Sequence, residues 1–98
     1  MIARHWRGVA KPSSAQAYLD HLRDHTFPAL RKLDGFIDAS IFRRPVPEGV
    51  EFLVITHWDS LDAIHAFAGN DIEAAVVAPQ VQAMMVDYDR TVRHYEAL

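Results

Sequence analysis

The sequence contains no cysteine. Disulfides and thiolate metal sites are therefore excluded, and no other zinc-ligand spacing is present. No segment supplies the ~20 consecutive apolar residues that a membrane-spanning helix requires. The first residues, MIARHWRG, put charge where a secretory leader needs an apolar stretch. A cytoplasmic location is the expectation. The net charge is only −3, with a pI near 6.0, and the arginines are scattered along expected strands rather than gathered in a run. That balance leaves no electrostatic footprint for nucleic acid. There are four glycines, and none builds a GxGxxG or GxxxxGK phosphate loop.

What is there is one ordinary globular domain, residues 1–98, half hydrophobic and 23% charged. A chain this short buries only a modest share of its surface. Without disulfides or a structural metal, association with further copies is the common remaining way to bury more.

Taken in order, residues 2–9 read as a first strand, with Gly8 marking a bulge or a close backbone approach. Pro12 precedes a serine cap, and the helix that follows carries Ala15, Tyr18, Leu19, Leu22, Thr26, Ala29, Leu30 and Leu33 on one stripe. Pro28 predicts a kink or short break, and Gly35 a left-handed end. Residues 36–44 and 50–58 read as a hairpin closed by Pro45-Val46-Pro47-Glu48-Gly49. A second helix spans about 60–68. Asn70-Asp71-Ile72-Glu73 has the form of a capping box and predicts a short helix through Val77. A fourth strand spans 87–96.

The order β-α-β-β-α-β is the ferredoxin-like α+β arrangement, a four-stranded antiparallel sheet with helices on one face. The third strand adds a constraint. Phe52-Leu53-Val54-Ile55 is apolar on both faces, whereas helices can cover only one. The other face calls for a second copy, so a homodimer packed sheet to sheet is expected.

The segments IARHWRGVA, GFIDASIFRR and VEFLVITHWDSLDAIHAFAG resemble the antibiotic biosynthesis monooxygenase domain of the dimeric α/β-barrel superfamily. The resemblance covers nearly the whole chain. It implies oxygenation of a small aromatic or polycyclic molecule, in many members without metal or flavin, so no cofactor is expected. The polyketide-oxidising members pair a Trp at the end of the third strand with an Asn four residues earlier and an Arg on a later helix. Trp58 matches; Val54 and Val77 or Ala78 stand at the other two places. The haem-degrading pattern of Asn, Trp and His ligand falls near His5, Phe67 and Val77.

Six histidines are the candidate bases, since imidazole titrates near neutral pH. His65 is expected on the sheet-facing side of the second helix, and His5 is expected near the same cleft. With Trp58 they form the candidate catalytic set; the competing reading for each is a core or interface residue. Trp6, Phe67, Tyr18, His25 and Arg7 are the candidate binding residues. The rings could stack on a flat ligand. His25 could stand at a cleft mouth, with His21 turned further toward solvent. Arg4, Arg7 and Arg43 need partners on their strands. Asp38, Asp87 and Asp89 are candidates, or one arginine could hold an anionic substrate oxygen. A sequestering module without catalysis, and an oxygen-independent isomerase or decarboxylase, are the alternatives to oxygenation.

Overall fold

The computed structural model describes residues 1–98. Strand β1 (Ile2–Ala10) leads through a 3₁₀ turn (Pro12–Ser14) into helix α1 (Ala15–His21). A π-helical turn (Leu22–Thr26) joins α1 to the short α2 (Phe27–Leu30). The hairpin β2 (Phe36–Val46) and β3 (Gly49–Trp58) comes next, then α3 (Leu61–Ala68) and α4 (Pro79–Gln82). Strands β4 (Met85–Tyr88) and β5 (Arg93–Glu96) close the chain. The sheet is antiparallel, in the order β2-β3-β1-β4, and β5 also pairs with β1. This is the expected α+β arrangement with helices on one face. No helix is long and apolar enough to cross a membrane.

Register decides which side chains meet the helices. Trp6 stands opposite Val54 and Arg4 opposite Thr56, with Gly8 opposite Phe52. Because side chains alternate along a strand, the even-numbered residues of β1 and β3 share one face. Phe52, Val54, Thr56 and Trp58 are all buried there under α1, α2 and α3. On the opposite face Leu53 and Ile55 are only half-buried, and Phe42 beside Leu53 is 55% exposed.

Pro28 removes an N–H, and the chain accommodates it without a break. The N–H of Phe27 reaches back five residues to the carbonyl of Leu22, so the helix widens by one residue and continues. Gly35 takes φ +86 and lies so close to Ala63 that a Cβ there would stand 2.5 Å from the Ala63 Cβ. Its carbonyl accepts from the N–H of Asp59 at 2.8 Å. Ser60 caps α3, its hydroxyl accepting from Ala63 N–H at 3.2 Å.

Two expectations are corrected. Residues 70–77 form no helix. The carbonyl of Glu73 accepts from Val92 N–H, and Ala75 N–H donates to Arg90. Ala74 bridges to Thr91, so these backbone groups are engaged across the chain rather than along it. The fourth strand is likewise not continuous. It leaves β1 after Tyr88, meets the 73–75 segment, and returns at Arg93.

Ile64 is the fully buried residue of α3. Ile64→Ala should lower the unfolding free energy by about 2–5 kcal/mol in urea denaturation. A loss below about 1 kcal/mol would show that α3 does not depend on this contact.

Candidate functional site

Between the helix-covered face of the sheet and the helices lies a cavity of about 350 Å³. Trp6, Val54 and Thr56 form its floor, Tyr18, Leu22, Phe27 and Leu30 one wall, and Phe67, Val77 and Val81 another. A mostly apolar space with a few inward polar groups is the common form of a small-molecule site. Gly8 makes room for its floor: the indole of Trp6 lies across it, where a Cβ would come within 2.4 Å. The Trp6 indole N–H donates to the carbonyl of Asp89 at 2.9 Å, which fixes the ring.

Arg4 is the charged side chain on this wall, and it is only 4% exposed. No acidic side chain lines the cavity. Nor does any carboxylate form an ion pair with Arg4. Its guanidinium is met instead by backbone. Nη1 donates to the carbonyl of Ile72, and Nη2 to that of Ala74 at 3.0 Å. Nη1 also reaches Nε2 of His94 at 3.0 Å. A guanidinium can only donate, so that His94 nitrogen carries a lone pair and the ring is neutral. The Phe67 ring lies 5.6 Å from the guanidinium carbon. Burial lowers the Arg4 pKa to about 10, which still leaves it charged at neutral pH.

Three more polar groups border the cavity. Tyr18 is 3% exposed, and burial pushes its phenol well above the usual tyrosine value. It is therefore a hydrogen-bond donor and not an anion at neutral pH. The hydroxyl of Thr56 accepts from the Trp58 indole N–H at 2.9 Å. His21 lines the wall, and its pKa is lowered by burial and then by His25, so it is neutral at pH 7.

The expected site residues divide. Trp6, Tyr18 and Phe67 come together around the cavity. Trp58 is 0% exposed and packs behind it, edge-on to Phe36 at 5.3 Å and stacked on Phe67 at 6.1 Å. It supports the wall without lining it. His65 shares the outward side of α3 with exposed Leu61, four residues earlier, and its Nδ1 donates to the Gly69 carbonyl at 2.7 Å. His5 and Arg7 have odd parity and lie across the sheet from the helices. The His5 ring meets Tyr95 edge-on at 4.8 Å, and its pKa is lowered by burial, His57 and Arg93. Arg7 and Arg44 both donate to Glu51, at 2.6 and 2.7 Å. His25 is exposed, its ring 5.5 Å from that of His21, and no third metal-ligating side chain joins them. His21, not His25, is the one that borders the cavity.

The chain belongs to the antibiotic biosynthesis monooxygenase family, whose model matches residues 1–84. Among solved structures, it is similar to a protein from Deinococcus radiodurans described as an antibiotic biosynthesis monooxygenase. That likeness has 26% identity and a TM-score of 0.65, over 99% of this chain and 92% of the other. A Bacillus cereus protein of the same description shares 19% identity, with a TM-score of 0.63 over 97% of this chain and 88% of that one. The heme-degrader MhuD of Mycobacterium tuberculosis, solved with two hemes in its active site, shares the fold. It has 20% identity and a TM-score of 0.60 over 100% of this chain and 96% of that one. No curated protein sequence matches.

His94 is held below the ordinary imidazole value by burial first and the Arg4 charge second, against a smaller upward pull from Glu73. In an NMR titration its midpoint should lie below about 6.5 and rise in Arg4→Met. His5, His21 and His94 are all depressed in the fold. The unfolded chain therefore binds more protons just below pH ~6.5. Stability should be full above that pH and fall as pH drops through it, a trend that urea midpoints between pH 7 and 5 would check.

Proposed function

We propose that this chain is a cofactor-independent monooxygenase acting on a small aromatic or polycyclic metabolite in the cavity. The observation that carries this is the mostly apolar cleft of about 350 Å³, walled by Trp6, Tyr18 and Phe67, in a chain of this family. A neutral His21 on that wall accepts a proton from an activated C–H or O–H of the substrate. The substrate anion then gives electrons to dioxygen, and the hydroperoxide it forms loses water. For a ring methylene the balance is R₂CH₂ + O₂ → R₂C=O + H₂O, with the substrate as the reductant.

A haem-based reaction is not part of this proposal. The place where the family's His ligand falls is taken by Val77. The proposal takes the protein to act in the cytoplasm.

The working form is a homodimer packed through the open sheet face. Leu53 and Ile55 are half-buried there, and Phe42 and Tyr95 are exposed. Burying such a face stabilises by roughly 25 cal/mol per Å² of apolar area. In this dimer His5 and Arg7 become interface residues. Sedimentation equilibrium at micromolar concentration should give twice the 11.1 kDa chain mass; a single-chain mass would remove this part of the proposal.

Oxygen uptake with a panel of anthrones and hydroquinones tests the chemistry. Turnover should fall about 100-fold or more in His21→Ala, the usual size of a proton-transfer contribution, and in Val77→Phe, which fills the cavity. Loss in His65→Ala or His5→Ala instead would move the proton-accepting role to that residue. Binding without turnover would mark a sequestering module, and turnover without oxygen an isomerase or decarboxylase.

A further inference from the structure

The cavity wall carries one unneutralised cation in an otherwise apolar and aromatic lining. The chain as a whole is acidic, with thirteen Asp and Glu residues against ten Lys and Arg. Yet none of those carboxylates lines the cavity, and none pairs with Arg4. The other strand arginines show that partners were within reach of sheet positions. Arg7 and Arg44 share Glu51 on the opposite face. Arg4 is satisfied only in part. Two carbonyls and His94 take three of its five N–H groups. The Nε–H and one Nη2–H have no protein partner, and because no inaccessible side-chain nitrogen or oxygen is left wholly unpaired, the Nε atom reaches open space. The hydroxyl of Tyr18, which also lines the cavity, lacks a protein partner too and stays protonated. A buried cation is stabilised best by an anion placed against it, through shorter charge-assisted hydrogen bonds.

We propose that Arg4 is an anion-holding residue and that the cavity selects planar aromatic monoanions, with the ionised oxygen on the free Arg4 N–H groups. The aromatic body then lies among Trp6, Tyr18 and Phe67. The same guanidinium carries Ile72 and Ala74, so the segment that supplies wall residues Val76 and Val77 is tied to the group that holds the ligand. This rests on the cavity being the ligand site of the oxygenase proposed above, and it names the charge state in which the substrate is bound.

Calorimetric titration of the wild-type protein at pH 7 with 2-naphthoate and with its neutral isostere 2-naphthamide tests this directly. Carboxylates are ionised at that pH, and the two probes differ little in shape. The expected result is about 10- to 100-fold tighter binding of 2-naphthoate, the range for a hydrogen-bonded charge. Arg4→Lys should keep a reduced preference, because ammonium supplies charge without the planar fork. Arg4→Met should abolish it while 2-naphthamide still binds. Equal affinities in the wild type, or no binding of either probe, would overturn the proposal. The wild-type comparison stands even if an Arg4 variant fails to fold. Oxygen uptake from anthrones together with equal affinities would overturn the anion site and leave oxygenation standing. A clear preference for 2-naphthoate with no oxygen uptake would support the anion site and remove oxygenation.

Discussion

A guanidinium in an apolar interior has to be met by oxygen, and the way Arg4 meets that requirement shapes one side of the molecule. Its charge is spread over the carbonyls of Ile72 and Ala74 and a neutral His94. Hydrogen bonds to a charged donor are worth about 1.5–3 kcal/mol each, enough to compete with helix formation in a segment of eight residues. The 70–77 segment therefore runs across the sheet end instead of coiling. Its Glu73 and Ala75 backbone groups then engage residues 90–92, which splits the last strand in two. The same path sets Val76 and Val77 as a wall facing Trp6 and Tyr18. One buried charge thus links the irregular part of the fold to the existence of the cavity.

The cavity differs from a packed core in what its polar groups do. Trp58 is a core residue whose indole N–H is satisfied by Thr56, and it closes the space behind Phe67. Tyr18, His21 and Arg4 line the space with donors or a lone pair left over for a guest, while the Trp6 N–H is held by Asp89 and its ring face is what it offers. In the proposed oxygenation this setting supplies a neutral base, a fixed positive charge that favours the anionic form of the substrate, and a largely apolar surround. The charge is already in place before reaction, so little reorganisation accompanies the developing anion.

The architecture was legible because it follows from period and punctuation. The two-faced apolar strand stands where the pattern put it; Gly35 has the expected left-handed backbone, but it leads into β2 rather than ending the helix, which stops at Leu30. The site was less legible. Trp58 and Trp6 share the helix-covered face, but only the register, with Ile2 and Phe36 both opposite Trp58, shows that Trp58 is walled in. His65 is one position past Ile64 on a helix of eight residues, and that step turns it outward. The alternation of β1 was enough to separate Arg4 from His5 and Arg7, had the helix-covered parity been carried from β3 across the sheet. The partners of Arg4 were not legible at all. They are backbone carbonyls, and their positions depend on a loop path that side-chain pattern does not encode. The same loop path made a capping-box sequence, Asn70-Asp71-Ile72-Glu73, resolve into a local turn in which Asp71 accepts from Glu73 N–H at 3.1 Å.

A free face of the Arg4 guanidinium that meets an anionic ligand inside the cavity can be observed at the protons themselves. The arginine Nε–H resonances report on it most directly, followed by ¹H–¹⁵N NMR while 2-naphthoate is added. The Arg4 Nε–H signal should shift downfield and become protected from exchange, and the Trp6 indole signal should shift with it, while the Arg7 and Arg44 signals stay still. Shifts confined to the surface arginines, with Arg4 and Trp6 unmoved, would contradict it.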